Sequence, residues 1–252
     1  MFSWKGEIMQ LKYEMNLESF NKIPGSPIAY WASPSIIGAY KNLNLDNIAQ
    51  PRHGLATSDN DRFLKLWHEV DRNKTSIFNR NDFSKKWFPM NKGGAYRKWY
   101  GNNEWLINYE NDGKELKDFA ISIYRCSSRT IQNTQFYFKK GVTWSALTSG
   151  GFSVRFSDEG AIFGSGGYSA FAQEDKLLYI LALMNNKVNK VFISLVSPTL
   201  NYEVGHIKTI PVILDSDRHD KVDDITTNNI ELSKSEWDDF ETSWDFKKHP
   251  LV

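Results

Sequence analysis

The stretch from Trp87 to Asn103 holds the densest set of groups suited to binding chemistry. It carries five aromatic rings, three cationic side chains, three glycines and three asparagines within seventeen residues. Arg and Lys beside flat rings suit a phosphate chain with stackable bases, and glycine allows positive φ and close approach of a partner's backbone. The same composition is typical of an aromatic-rich loop that closes over a core, so the stretch alone leaves both interpretations open.

Residues for catalysis or metal binding do not cluster in the sequence. The five histidines include no His-x-x-x-His pair, and Cys126 is the only cysteine, so we expect no zinc site. Asp112, Glu115 and Lys117 faintly resemble the carboxylate–carboxylate–lysine set of metal-dependent nucleases, but acids in the first turn of a helix explain them more simply. The sequence has no Asn/Asp-Pro-Pro-Tyr/Phe loop for a flipped adenine and no glycine loop for S-adenosylmethionine. We therefore expect no catalytic residue, metal or cofactor in this chain.

The net charge of +1 hides a strong asymmetry along the 252 residues. Residues 52–100 hold 11 Lys/Arg against 5 Asp/Glu, whereas residues 215–245 hold 3 against 11. A basic segment of this kind can form a polyanion-binding face in a nearly neutral protein, although ordinary solvated surface is the alternative. A single cysteine, with neither a signal peptide nor a long apolar run, predicts a reducing, cytoplasmic setting without a membrane span.

The elements that must position these residues predict an α+β fold. Alternating apolar residues separated by glycine-rich turns predict strands, whereas capped apolar periodicities predict helices. Gly164-Ser165-Gly166-Gly167 is expected to be a hairpin turn rather than a phosphate loop. The predicted strands begin near Arg52 and cover 63–70, 104–109, a meander at 136–139, 143–147, 152–156, 161–164 and 168–171, and 207–214; the predicted helices cover 34–41, 113–124, 175–184, 187–197 and the end of the acidic tail.

Several segments together resemble a known family. Gly54 to Phe63 is similar to the opening of target-recognition regions in large adenine-specific DNA methyltransferases. Trp87 to Asn103 resembles a stretch of the PglX methyltransferases of the BREX phage-exclusion systems, with Met90 in place of the usual tyrosine. The resemblance spans roughly residues 20–250 and does not include the family's catalytic domain.

The resemblance implies the DNA sequence-recognition part of an adenine-N6-specific methyltransferase. Catalysis and S-adenosylmethionine would then belong to the rest of the enzyme. Cationic side chains would contact phosphates or a guanine edge, asparagines would read an adenine, and glycines would let the backbone approach the duplex. The residues that we expect to contact DNA are Asn91, Lys92, Gly93, Gly94, Arg97, Lys98, Asn102 and Asn103 and, secondarily, Arg52, Arg62, Lys139, Lys140 and Arg155.

The expected organisation has three parts. A helical connecting segment at 1–47 precedes a mixed, mainly antiparallel β target-recognition domain with packed helices at 48–214, and an acidic helical segment follows at 215–252. The expected partners are double-stranded DNA, a catalytic methyltransferase domain or subunit, and other phage-defence proteins.

A second interpretation is a structural or protein-interaction domain of the same defence complex, without direct DNA contact. In that case the acidic tail would dock onto other subunits, and the basic segment would pair with that tail internally. Internal pairing would leave little free positive surface.

Overall fold

The computed structural model describes residues 17–80 and 82–252, with only the backbone of Leu17 and Ser19. The fold is mixed α+β, as the sequence predicts. The helices are α1 (Leu17–Phe20), α2 (Pro34–Ala39), α3 (Asn60–Phe63), α4 (Glu110–Tyr124), α5 (Glu174–Asn185), α6 (Lys187–Val196), α7 (Val204–Lys208) and α8 (His219–Asp238). The strands are β1 (Gln50–Arg52), β2 (Leu64–Leu66), β3 (Trp87–Asn91), β4 (Trp105–Asn108), β5 (Gly141–Ser145), β6 (Val154–Ser157), β7 (Ile162–Phe163) and β8 (Gly167–Phe171).

The first sheet has the order β1-β8-β5-β6 and is antiparallel throughout. Val142 and Trp144 of β5 point to one face, where they pack with residues of α5, α6 and α7 in the main core. The alternate positions are polar and also buried, among them Thr143, Ser145 and Arg155. This sheet therefore has one apolar face and one buried polar face, because successive side chains of a strand point to opposite sides.

The second sheet has the order β2-β4-β3-β7, and its only parallel pair is β3 with β7. All five residues of β3 are buried, and Phe88 and Met90 lie in a second core with residues of α4. The two sheets meet where β7 leads into β8, and there the Asn91 amide donates a 2.7 Å hydrogen bond to the Ser157 hydroxyl. The centre of the molecule is therefore partly polar.

The predicted meander is wrong in its topology. Strands form near four of its five predicted segments, but β7 joins the second sheet while β8 returns to the first. The glycine-rich stretch at 164–167 does turn, with a 3.1 Å bond from Gly167 N–H to the Gly164 carbonyl, but it crosses between sheets instead of closing a hairpin.

Two predicted strands are absent from the described residues. At 136–139 the chain forms a 3-10 turn ending at Phe136, followed by Phe138 at φ +65°, and the aromatic rings pack into the second core without a strand partner. At 207–214 the chain continues α7 and then runs extended, with an isolated bridge from Pro211 to Asn44. In both places the apolar pattern reflects core packing, and the backbone is satisfied by isolated hydrogen bonds, such as those from Phe138 N–H to the Ala161 carbonyl and from Val212 N–H to the Leu43 carbonyl, without a strand ladder.

The predicted helices at 34–41, 113–124, 175–184 and 187–197 are confirmed with small shifts of their ends. The Ser33 hydroxyl caps α2 by accepting the Ile36 N–H, with proline in the first turn. Asp112 does not cap α4, because α4 begins at Glu110 and Asp112 itself has φ +57° within a kink. Asp112 pairs instead with Lys117.

The ends of the chain pack onto this framework. Of the predicted connecting segment, residues 1–16 lie outside the described part, and Ile23, Ala29 and Ile37 from the remainder pack against Leu195 of α6. The acidic tail forms the long helix α8, which packs along α5. The boundaries at 47 and 214 stay predictions. Among the described residues no helix has both the length and the apolar character needed to cross a membrane.

Candidate nucleic-acid interface

The loop between β3 and β4 carries most of the expected DNA-contacting residues. It leaves the second sheet and runs beside the first, where Trp99 N–H donates to the Val154 carbonyl at 2.9 Å and the Trp99 carbonyl accepts from Phe156 N–H at 2.7 Å. Trp99 reaches this position in the left-handed region, with φ +70°. The loop thus adds a short parallel edge to β6 and connects the two sheets.

The glycines of this loop serve packing within the protein. A β-carbon on Gly93 would lie 2.3 Å from the Gly166 carbonyl oxygen. On the facing segment, a β-carbon on Gly167 of β8 would lie 2.5 Å from the Asn91 carbonyl oxygen. These contacts join the backbone of the loop to the crossing between β7 and β8. The space that we expected Gly93 to leave for a duplex is therefore occupied by the protein's own backbone, whereas Gly94 is exposed.

Arg97 is directed inward, towards α8. Its Nε donates to the Tyr100 carbonyl at 2.7 Å, and one Nη donates to the Ser233 carbonyl at 3.0 Å. The same Nη forms an ion pair with Glu236, and the guanidinium carbon lies 4.9 Å from the centroid of the Trp237 ring. In this conformation the guanidinium is used by the protein and is not presented to a base.

Helix α8 also holds the backbone of the loop. The Ser233 hydroxyl lies 3.0 Å from the Lys98 carbonyl and 3.2 Å from the Tyr100 carbonyl, and the Lys234 ammonium lies 5.1 Å from the Tyr100 ring centroid. A β-carbon on Gly101 would lie 2.9 Å from the Trp237 ring. The acidic tail and the basic loop therefore pair within the chain. The periodicity near Trp237 predicts a helix there, but no sequence signal indicates where that helix packs.

The two lysines of the loop are half-buried. The Lys92 ammonium lies 3.4 Å from the centroid of the Trp105 ring, and burial lowers the pKa of Lys92 although the charge of Asp61 acts against that shift. Lys98 Nζ donates to the Asn185 carbonyl at 2.5 Å. Burial, followed by the charges of two further lysines, lowers the pKa of Lys98.

The three asparagines differ in their surroundings. Asn91 is buried and bonded to Ser157, so its amide is not on the surface. Asn102 is half-buried and donates to the Ala95 carbonyl at 2.9 Å, and Asn103 lines a small cavity beside Tyr100. Only the last two have partly exposed side chains with which to meet a partner.

The secondary candidates lie on separate surfaces. Arg52 and Lys139 flank the Phe136 ring, at 5.2 Å and 5.6 Å from its centroid, while Lys140 pairs with Glu174. Arg62 lies elsewhere, paired with Glu115 between α3 and α4.

Arg155 must be removed from the surface candidates, because only 1% of it is exposed. Its guanidinium lies on the buried polar face of the first sheet, where it donates at 3.4 Å to the Arg97 carbonyl and the Ser145 hydroxyl. Burial, with the nearby charge of Arg97 second, lowers the pKa of Arg155 to about 10, so it stays charged at neutral pH. The alternation of a strand predicts that Arg155 faces away from Val154, but it does not predict burial.

The segment from Gly54 to Phe63 is built around a turn and a capped helix. Ser58 has φ +60°, Asp59 accepts the Arg62 N–H, and the Thr57 hydroxyl donates to Asn60 Oδ1 at 2.6 Å. Before this turn, Leu55 forms a β-bridge with Gly164, the residue that follows β7. Strand β7 in turn pairs with β3. The two segments that carried the resemblance thus lie on either side of one short strand.

In the part of the chain that the structure describes, no group of three His, Cys, Asp or Glu side chains could hold a metal ion. No protein-family model matches the chain. Two relatives do: the adenine-specific methyltransferase BrxX of Escherichia coli O9:H4 (strain HS), 39% identical over 237 residues, and the adenine-specific methyltransferase PglX of Lacticaseibacillus casei (strain Zhang), 38% identical over 247 residues.

This chain is homologous to a C-terminal region of these adenine-specific methyltransferases. The matches cover 92% and 95% of the chain but only 18% and 20% of the relatives' own lengths. The chain therefore spans about one fifth of the relatives that it matches.

Proposed function

We propose that this chain is the DNA sequence-recognition part of an adenine-N6-specific DNA methyltransferase of a phage-defence system. The observation that carries the proposal is the β3–β4 loop, which is braced by both sheets and α8 and still presents an exposed tip at Gly94, Ala95 and Tyr96. Lys92 and Lys98 flank this tip, and within the described residues no carboxylate lies at ion-pair distance from either ammonium. A rigid cationic loop of this kind suits the positioning of a protein on phosphates.

The catalytic motifs that the sequence lacks indicate which functions would belong to the rest of the enzyme. Its sequence has no Asn-Pro-Pro-Tyr loop and no glycine loop for S-adenosylmethionine. Methyl transfer and cofactor binding would belong to the rest of the enzyme, as the naming of the relatives as adenine-specific methyltransferases also suggests. Isothermal titration of this chain with S-adenosylmethionine should therefore give no binding heat.

The test of the proposal is filter binding of this chain to duplex DNA across a salt series. We expect weak binding that falls steeply between about 50 and 200 mM salt, because lysines that neutralise phosphates release counterions. The absence of binding even at the lowest salt concentration would contradict the proposal for this chain.

A second candidate function has one observation in its favour. The pairing of Arg97 with Glu236 means that part of the basic segment is already neutralised by the acidic tail. The chain would then be a structural or protein-interaction domain of the same complex without direct DNA contact. The same salt series separates the two candidates, because only the first predicts binding to a duplex.

A further inference from the structure

One lysine of the β3–β4 loop and two lysines of α6 lie close together at the corner between α5 and α6. Lys98 reaches this corner from the β3–β4 loop and donates to the carbonyl of Asn185, the last residue of α5. Lys187 and Lys190 lie in the first turn of α6 and are exposed. The Asn185 carbonyl that Lys98 reaches lies two residues before Lys187 in the chain, and after burial the charges of Lys190 and Lys187 also lower the pKa of Lys98.

This cluster has no counter-charge of its own. Among the ion pairs of the described residues, none joins these three lysines to a carboxylate, and no acidic charge contributes to the pKa shift of Lys98. The first turn of α6 contains no acidic residue, although a helix N-terminus favours negative side chains. An uncompensated positive cluster on a protein surface attracts an anionic partner.

Tyr96 stands beside the cluster at the tip of the loop. It is 42% exposed, and the Lys190 ammonium lies 5.9 Å from its ring centroid. A β-carbon on Gly150 would lie 2.5 Å from the Tyr96 β-carbon, so the turn between β5 and β6 supports the base of the side chain. The base of the Tyr96 side chain is therefore packed against the protein, whereas its ring is accessible to a partner.

We propose that Lys98, Lys187 and Lys190 around Tyr96, which we call the corner patch, form the surface with which this chain contacts the phosphate backbone of a DNA duplex. The inference rests on the proposed function and deepens it, because α6 was not among the expected DNA-contacting segments. Lysines act as point charges towards phosphates, so this surface supplies affinity and orientation but no sequence reading. Sequence reading is then left to neighbouring groups of the loop such as Asn102.

The test uses the whole chain with a fluorescent 20-base-pair duplex, and dissociation constants measured by anisotropy at several salt concentrations. The variant is the double substitution Lys187→Gln and Lys190→Gln, which removes two exposed charges together with the contact of Lys190 with the Tyr96 ring. The matched control is Lys247→Gln with Lys248→Gln, which removes the same charge from an exposed site in the tail. Circular dichroism checks that both variants fold.

We expect the slope of log Kd against log salt to fall by about 1.8 in the corner-patch variant, because each phosphate contact contributes about 0.9. The control should keep the wild-type slope, and Lys187→Arg with Lys190→Arg should keep it too. If wild type binds but the corner-patch variant has an unchanged slope, the corner patch is refuted and the proposed function stands. Failure of wild type to bind at low salt overturns both. Tighter retention of an acidic peptide than of the duplex would identify a protein partner and also overturn the corner patch as a DNA surface.

Discussion

Replacing Arg97 with alanine probes the contact between the β3–β4 loop and α8. The substitution removes the hydrogen bonds to the Tyr100 and Ser233 carbonyls at 2.7 Å and 3.0 Å, the ion pair with Glu236, and the contact with the Trp237 ring. It leaves the Ser233 hydroxyl in place to hold the loop backbone. The variant therefore weakens the contact without abolishing it.

The expected loss follows from these partners. A hydrogen bond from a charged donor contributes about 1.5–3 kcal/mol, and a cation over an aromatic ring contributes about 0.5–2 kcal/mol. The Glu236 side chain is 57% exposed, so the ion pair adds less than about 1 kcal/mol. Because one guanidinium makes all these contacts, they do not add fully, and we expect a loss of about 3 kcal/mol in the free energy of unfolding.

Urea unfolding followed by tryptophan fluorescence measures this loss. Arg97→Lys keeps the charge but not the planar fork, so it should recover only about 1 kcal/mol of the loss. Glu236→Gln should cost less than about 1 kcal/mol, since it removes only the exposed ion pair.

The reasoning would be refuted by an Arg97→Ala variant that unfolds within about 0.5 kcal/mol of wild type but methylates different sites in the assembled enzyme. That result would mean that Arg97 leaves α8 and reads a base, where its loss should cost about 1–3 kcal/mol of discrimination. A destabilised variant with an unchanged site preference supports the positioning role.

Three further substitutions test the framework of the fold. The hydrogen bond from Arg62 is the main cause that lowers the pKa of Glu115, so the stabilisation is present above the ordinary value and is lost as pH falls through the lower folded value; Glu115→Gln should cost less than about 1 kcal/mol at pH 7 in urea titrations, and this cost should shrink as the pH falls through the folded pKa of Glu115. Gly54→Ala should destabilise by roughly 3 kcal/mol, because the new methyl group would lie 2.1 Å from the Phe163 carbonyl oxygen. Gly205→Ala meets no atom within 4 Å in α7 and should stabilise by about 0.5–1 kcal/mol; equal melting temperatures for the two alanine variants would contradict the packing argument.

The sequence predicts most elements of this fold but not their neighbours. Helices such as α5 and α6 are visible because their apolar periodicity and caps are local. The strands of the first sheet are visible too, but alternation carries no information on which strand lies beside which. The extended run through Val212 resembles a strand because a core-lining segment and a strand share the same apolar residues, and the difference is that its pairing with residues 43–45 stops at a single bridge.

The candidate site shows the same limit more sharply. The β3–β4 loop was identifiable from its aromatic and cationic residues, yet the α8 partners of Arg97 lie more than 130 residues further along the chain. The burial of Arg155 and the approach of Lys190 to Tyr96 likewise depend on tertiary packing. The sequence could thus predict which side chains are suited to binding DNA, but not which of them are exposed and free of partners within the protein.

The pairing of β1 with β8 has a consequence for how the chain folds during synthesis. Closing the loop of roughly 110 residues between these strands costs about 2 kcal/mol more in chain entropy than closing the loop of about 8 residues between β5 and β6. On a ribosome adding about 5–20 residues per second, β1 waits at least several seconds for its partner to emerge. The residues of β3, β4 and α4 are synthesised earlier, although the second core is completed only when Ile162, Phe163 and Phe171 of β7 and β8 have emerged, and α8 follows both sheets in the sequence. The β3–β4 loop therefore acquires its contacts with α8 only after the strands of both sheets have been synthesised, so the shape of the candidate DNA-contacting surface is completed after the sheets that carry it.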